Sequence, residues 1–354
     1  MLNQVMKNSA LCAKVRAMRG RALGDADYNL LMNMTSVTEV AKFLSVHPTY
    51  ADAFAGRNTS NMHRAAIERC LREHLQCDIE RILPFMDQGA KKFMEIFSLE
   101  DGIAKIKLCL RLIHINHSDK IGEYMSKVIG GKWEISADEA ESIESIDAFI
   151  EMLRGTPYYT PLLVFCGKPK LQEPFYMETA LDTFWANMVY KYAKKYLASD
   201  EAKSVIKVYG TEFDLQNLAF LLRCKRTFKM TDEEIYASVI PKYYRLKEST
   251  ISKIVKCQSY SDAISIISTE TPYGLAFSEK DRFIEKRQNE YMADMKRRMN
   301  YALMYSIQSA ICYIHLRRTE IDNIVSIIEG IRYDLGAEKI AEYLFGYGRK
   351  EARV

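Results

Sequence analysis

Ser36-Val-Thr-Glu-Val-Ala-Lys-Phe-Leu44 decides how this chain is read, because its pattern returns twice. The second copy is Ser145-Ile-Asp-Ala-Phe-Ile-Glu-Met-Leu153, and the third is Ser259-Tyr-Ser-Asp-Ala-Ile-Ser-Ile-Ile267. Three residues then separate the first copy from Pro48, with Tyr50 beyond it, and the second from Pro157 and Tyr158. Four separate the third from Pro272 and Tyr273. The prolines lie 109 and then 115 residues apart. Self-similarity at a steady spacing is the mark of a chain built from repeated supersecondary units.

Each copy carries the same local physics. A serine at the N-cap offers its hydroxyl oxygen to a backbone N–H of the first turn. Glu39 and Asp262, three residues on, complete a capping-box signature in the first and third copies; Ala148 leaves the second incomplete. Apolar residues follow at i, i+3, i+4 and i+7. They are Val37, Val40, Ala41 and Leu44, then Ile146, Phe149, Ile150 and Leu153, then Tyr260, Ala263, Ile264 and Ile267. That is one buried stripe on a short amphipathic helix. The proline stops the helix, since it lacks an N–H and disfavours helix in the residue before it. The tyrosine is expected to pack its ring back while its hydroxyl stays wet.

Working outward, a helix with Ile106, Leu108, Leu110, Leu112 and Ile113 precedes the second copy. Asp214-Leu-Gln-Asn-Leu-Ala-Phe-Leu-Leu-Arg223 precedes the third, and Ile321-Asp-Asn-Ile-Val-Ser-Ile-Ile328 follows it with no Pro-Tyr helix behind. Short second helices are expected at Met230–Ile235 and Leu335–Ile340, and long amphipathic ones around Ile67, Leu181 and Ile284. The expectation is an all-α chain of three similar modules. They are 1–102, completed by a C-terminal hairpin over 317–354, then 103–212 and 213–316. The segment Leu11 to Leu31 begins the first module. A hairpin from the far end that completed it would close the three into a pseudo-threefold arrangement and remove the exposed ends of an open repeat.

Composition agrees. The 354 residues include only 16 glycines and 8 prolines, too few turn formers for an all-β fold. At 48% hydrophobic and 27% charged, the chain is globular and not disordered. The net charge of +4 is too weak to call for nucleic acid, and the basic residues do not interleave with aromatics in one segment. Eight scattered cysteines form no CxxC pair or zinc spacing, and are expected to be reduced thiols of a reducing compartment. Nothing reaches the roughly 18 uninterrupted apolar residues of a membrane span. The nearest stretch, Met299 to Leu316, reads as one buried helix interrupted by Asn300, Ser306, Gln308 and Ser309. Lys7, Lys14, Arg16, Arg19 and Arg21 with no acid give the first 24 residues a faint transit-peptide character, but the module reading accounts for that segment better.

A search for chemistry finds no catalytic constellation, and no cofactor or metal is expected. Gly130-Gly131-Lys132-Trp133 lacks the upstream glycine and following Ser or Thr of a phosphate loop and reads as a turn. There is no GxGxxG, no HExxH and no Asp-Asp pair for an all-helical terpene synthase. His114 and His117, with Cys109 before them, have a spacing that could ligate a metal, but read as a partly buried, hydrogen-bonded pair. Asp232-Glu233-Glu234 reads as a solvated face. Lys296, Arg297, Arg298, Arg317 and Arg318 form two basic groups. They are read as solvated helix ends and, failing that, as the candidate interface for a phosphate-bearing surface or an acidic partner. The 22 tyrosines and 17 methionines look like core and contact surface.

The three Pro-Tyr turns, His47-Pro-Thr-Tyr50, Thr156-Pro-Tyr158 and Thr271-Pro-Tyr273, resemble those of the C-subunit family of V/A-type (vacuolar/archaeal-type) ATPases, relatives of the eukaryotic d subunit. Ala13-Lys-Val-Arg-Ala-Met-Arg-Gly-Arg-Ala-Leu23 is similar to its basic first helix. Glu320-Ile-Asp-Asn-Ile-Val and Leu335-Gly-Ala-Glu-Lys-Ile340 resemble its closing hairpin. Departures are the extra residue in the first turn and the absence, from the second leading helix, of the Asp-x-x-Asn at Asp214 and Asn217. The resemblance implies a funnel-shaped, pseudo-threefold, non-catalytic rotor coupler. It would sit peripherally on the cytoplasmic face of the proteolipid c-ring and receive the D and F subunits of the axle. Torque would pass through it between the A and B catalytic subunits and ion transport. Two other classes stay open: a helical adaptor that binds peptides, and an all-α enzyme whose site converges only in three dimensions, using His114 or His117.

Overall fold

The computed structural model describes residues 2–118, 121, 143–228, 230–280, 284–302 and 306–347, without the side chains of 2–7, 285 and 300–302. The Gly130–Trp133 turn lies outside them. Among the described residues every regular element is helical. The chain divides into two compact units, one of Met1–Asp87 with Leu275–Val354 and one of Gln88–Gly274.

The first unit contains α1 (Leu2–Arg19), α2 (Asp25–Met32), α3 (Val37–Val46), α4 (Ala51–Phe54), α5 (Arg64–Ile82), α14 (Ile284–Ala302), α15 (Ile307–Arg332) and α16 (Ala337–Ala341). Its centre is α15, against which α1, α5 and α14 pack. Residues 307–315 of α15 are all buried, so this end of the helix is enclosed on every side, with Gln308, Ser309 and His315 among its apolar residues. The expected single helix over Met299–Leu316 is not formed. One helix ends at Ala302, and Ser306 starts the next by accepting a hydrogen bond from the Gln308 N–H at 3.2 Å. The polar residues that seemed to interrupt one helix supply the cap of another.

α16 folds back on α15 through a close approach at Gly330, where a Cβ would fall 2.5 Å from Ile340 Cγ1. Asn323 then pins the chain beyond α16. Its amide donates to the Phe345 carbonyl and accepts from the Phe345 N–H, both at 2.9 Å.

The second unit contains α6 (Gln88–His114), α7 (Ile146–Met152), α8 (Tyr159–Leu163), α9 (Pro174–Tyr196), α10 (Ser199–Arg226), α11 (Asp232–Ser238), α12 (Glu248–Lys256) and α13 (Tyr260–Glu270). α9 lies between α6 and α10, and α13 packs on α10 and α12. Asn217 of α10 repeats the device of Asn323. It donates to the Ile240 carbonyl at 3.0 Å and accepts from the Ile240 N–H at 2.9 Å. α11 begins in a capping box between Thr231 and Glu234, so one acid of the Asp232–Glu234 run caps its own helix.

The repeated stripes are buried apart from the half-buried Val37 and Tyr260 that open two of them, with Val40, Ala41, Leu44, Phe149, Ile150, Ala263 and Ile267 all fully enclosed. Each such side chain, where it is as large as valine or leucine, contributes about 1.5–3 kcal/mol relative to an exposed one.

Candidate functional site

The three serines cap as their positions require. Ser36, Ser145 and Ser259 accept from the N–H of Glu39, Ala148 and Asp262 at 3.2, 3.2 and 3.0 Å. Only the third copy closes a reciprocal box, its Asp262 accepting from the Ser259 N–H. In the first, Glu39 reaches one residue further back, to the Thr35 N–H at 2.8 Å. Those backbone donors hold its carboxyl below the ordinary range.

At the turns, Pro48, Pro157 and Pro272 are exposed and Tyr50, Tyr158 and Tyr273 are buried. Thr156 and Thr271 accept from the tyrosine N–H through Oγ1 at 3.2 and 3.1 Å. In the first turn, with its extra residue, His47 Nδ1 accepts from the Thr49 N–H at 3.3 Å instead.

The tyrosine hydroxyls are not wet, contrary to expectation. Each donates inside the protein: Tyr50 to Glu320 Oε1 at 2.7 Å, Tyr158 to the Leu99 carbonyl at 3.2 Å, Tyr273 to Asp214 Oδ2 at 2.6 Å. The last two span the same 59 residues. A buried hydroxyl without a partner costs about 1–3 kcal/mol, so a ring driven inside by hydrophobicity has to find an acceptor. Where the second leading helix lacks the Asp-x-x-Asn acid, a backbone carbonyl serves.

Asp214 is a hub: besides Tyr273 it accepts from the N–H groups of Tyr244, Arg245 and Leu246 at 3.0, 2.6 and 2.9 Å. Glu320, its counterpart in the first unit, belongs to a cluster of buried charges. Arg317 donates to Glu320, lies 3.7 Å from Asp78, and places its guanidinium 4.8 Å from the Tyr50 ring centre. Tyr313 donates to Asp78 at 2.7 Å. Burial opposes the charge on Arg317, yet Glu320, the two tyrosines and Asp78 outweigh it and raise its pKa. Burial and Glu320 push the Tyr50 hydroxyl well up.

Arg317, at 2% exposure, is therefore not at a solvated helix end. Lys296 is buried as well, while Arg297 and Arg318 are half-buried and Arg298 is exposed. Arg297 donates to the Gly346 carbonyl at 2.9 Å. His114, the last residue of α6, and His117, just beyond it, are exposed, not partly buried, and Cys109 is inside. No group of three or more metal-ligating side chains occurs among the described residues, and all eight cysteines are unpaired. No helix described is long and apolar enough to cross a membrane.

The sequence reading missed both acid hubs and the cluster around Arg317. The available signals were Asp-x-x-Asn at 214–217 and the matching Glu320 to Asn323.

His315 of α15 is fully buried, and burial, then Lys296 and Arg318, hold its pKa well below the ordinary 6.5. The unfolded chain takes up a proton below pH 6.5 that the folded state refuses. Stability is therefore complete above that pH and declines beneath it, with a slope of up to about 1.4 kcal/mol per pH unit from this residue. Urea denaturation between pH 7.5 and 5 should show this decline, and His315→Gln should reduce it; an unchanged slope in the variant would remove His315 as its source.

Two concavities accompany these features. In the first unit a cleft of about 250 Å³ is lined by Asp52, Arg57, Cys70, Glu73, His74 and Arg81, among others. In the second an apolar groove of about 690 Å³ runs along α9 past Tyr176, Phe184 and Met188.

Comparison with known proteins gives these features a context. The family described as ATP synthase (C/AC39) subunit matches residues 11–343. The A-type ATP synthase C subunit of Methanococcoides burtonii is 26% identical over 352 residues, covering 94% of this chain and 92% of the relative. The one from Methanosphaera stadtmanae is 24% identical over 269 residues, covering 74% and 65%. The one from Methanocaldococcus jannaschii is 27% identical over 137 residues, covering 36% and 32%. With nearly its whole length matched and only helices among the regular elements of its described residues, the chain belongs to the ATP synthase (C/AC39) subunit family.

Proposed function

We propose that this chain is a non-catalytic coupling component of the central rotor in a V/A-type rotary ATPase. It would join the D and F axle to the membrane c-ring on the cytoplasmic face and pass torque between the A and B head subunits and ion transport. The family match over residues 11–343 carries this reading. The clasps support it: a coupler under load has to keep its shape, and each Pro-Tyr turn is tied to a long helix by a buried hydrogen bond. The pseudo-threefold funnel of three modules, the first completed by 317–354, is part of the proposal, and the Tyr50 bond to Glu320 of α15 is what supports that completion. Arg298, with the half-buried Arg297 and Arg318, is the proposed contact surface. Lys296 and Arg317 would act from inside by holding those helices in place.

The test is capture of the tagged chain from native membranes in mild detergent, with co-purifying proteins identified by mass spectrometry. Recovery of A, B, D, F and c subunits together is the expected result. Capture of none, with the chain monomeric, would overturn it and favour an adaptor that uses the apolar groove along α9.

A further inference from the structure

The buried cluster of the first unit joins segments that are far apart in sequence. Tyr50 lies in the first turn, Asp78 on α5, and Tyr313, Arg317 and Glu320 on α15, up to 270 residues away. Asp78 is shared: its Oδ2 receives Tyr313 and faces Arg317, while its Oδ1 lies 3.5 Å from Arg81 Nη1 and 3.8 Å from His74 Nε2. The Arg317–Asp78 approach of 3.7 Å is too long for a hydrogen bond, and Arg317 Nε has no other acceptor. It is the looser of the two contacts that Arg317 makes with the acids of the cluster. His74 is itself buried at 6% exposure, its ring 5.6 Å from that of Tyr50, and it lines the cleft that opens to solvent.

We propose that this cluster is a proton-operated latch, in which a proton reaching His74 through the cleft loosens the hold of the Tyr50 turn and α5 on α15. A charged imidazole would compete with Arg317 for Asp78 and add a second cation beside it in a site of low dielectric. The charges facing His74 are accounted for on every side. On α5 these are Glu73, Asp78 and Arg81, with Cys70 and Cys77 beside them. α4 presents Asp52 and the following loop Arg57, while Tyr50 stands over the ring. α15 presents Arg317, with Glu320 and Tyr313 behind it. Burial holds the pKa of His74 down, Asp78 pulls it up, and Arg317 and Arg81 push it down again. The sign follows: the latch is fully closed above pH 6.5, the unfolded value, and opens as pH falls through the lower folded value. In the second unit the Tyr158 and Tyr273 hydroxyls end on a carbonyl and on Asp214, and the histidines of that unit, His114 and His117, are exposed at the end of α6, so those turns are the internal control.

Amide hydrogen exchange of the full chain at pH 7.5 and 5.5, corrected for intrinsic rates, tests this. Protection of residues 47–55 and of α15 should fall by up to about tenfold at the lower pH, because pH 5.5 lies one unit below the unfolded value of 6.5 and each unit is a factor of ten. Protection of the 271–273 turn should hold. The loss should persist in His315→Gln, which removes the other buried histidine, on α15, and vanish when His74→Gln is added to that variant. An equal loss in the double variant, or none in His315→Gln, overturns the latch. Should His74→Gln fail to fold, a titration of wild-type protein labelled at histidine decides: the His74 signal should move below pH 6.5 with the Tyr50 ring signal following at the same midpoint, and a Tyr50 signal that stays still overturns it.

Discussion

Arg317→Met lowers the stability of the first unit by about 3–5 kcal/mol, the loss expected when one partner of a buried ion pair is removed. Methionine roughly keeps the volume, so the cost is electrostatic. Asp78 and Glu320, at 3% and 7% exposure, would be left without their enclosed cation. The Tyr50 ring would lose the guanidinium above it. An exposed pair makes the contrast. Lys203 and Asp200 stand 3.4 Å apart with about three quarters of each side chain in water, and Lys203→Met should change stability by under about 1 kcal/mol. Adding Glu320→Gln to Arg317→Met should recover part of the loss, because it removes a stranded charge. Denaturant titration with exchange mapping would measure both, and a loss below about 1 kcal/mol for Arg317→Met would mean the cluster is not sealed from solvent.

Asp214→Ala has a comparable effect in the second unit, about 3–5 kcal/mol. One carboxylate satisfies three consecutive backbone N–H groups and the Tyr273 hydroxyl. Alanine strands all four donors, each worth about 1–3 kcal/mol if it stays dry. Tyr244 and Arg245 are partly exposed and can turn to water, which keeps the sum below the simple total. Tyr273→Phe removes one donor and leaves Asp214 three others, so it should cost only about 1 kcal/mol. The ordering of the two variants is the check: a Tyr273→Phe loss equal to that of Asp214→Ala would place the energy in the hydroxyl and not in the backbone loop.

The contrast between these residues explains what could be read in advance. Ser36, Ser145 and Ser259 cap helices because a serine and an N–H three residues on are brought together by the local backbone alone. The apolar stripes were legible for the same reason, since a 3.6-residue period needs no knowledge of the partner surface. Tyr50 shows where this stops. Its ring was correctly expected inside, but its hydroxyl was expected in water, because its acceptor lies 270 residues along the chain. Arg317 reads as solvent-facing beside Arg318, and only the acids of α5 and of its own next turn make its burial tolerable. The Met299–Leu316 stretch was misread because capping and interruption use the same residue types.

By itself, then, the amino-acid order determined an all-helical chain, its three serine-capped helices with proline stops, and the family those turns resemble. These rest on interactions within a few residues, which backbone geometry specifies. Tertiary structure alone decided which acceptor each buried tyrosine finds, that Asp214 gathers a whole loop, and that Arg317 works inside the first unit. Such pairings form only when distant helices pack, and the cost of leaving a buried polar group alone then selects among the partners that packing brings within reach.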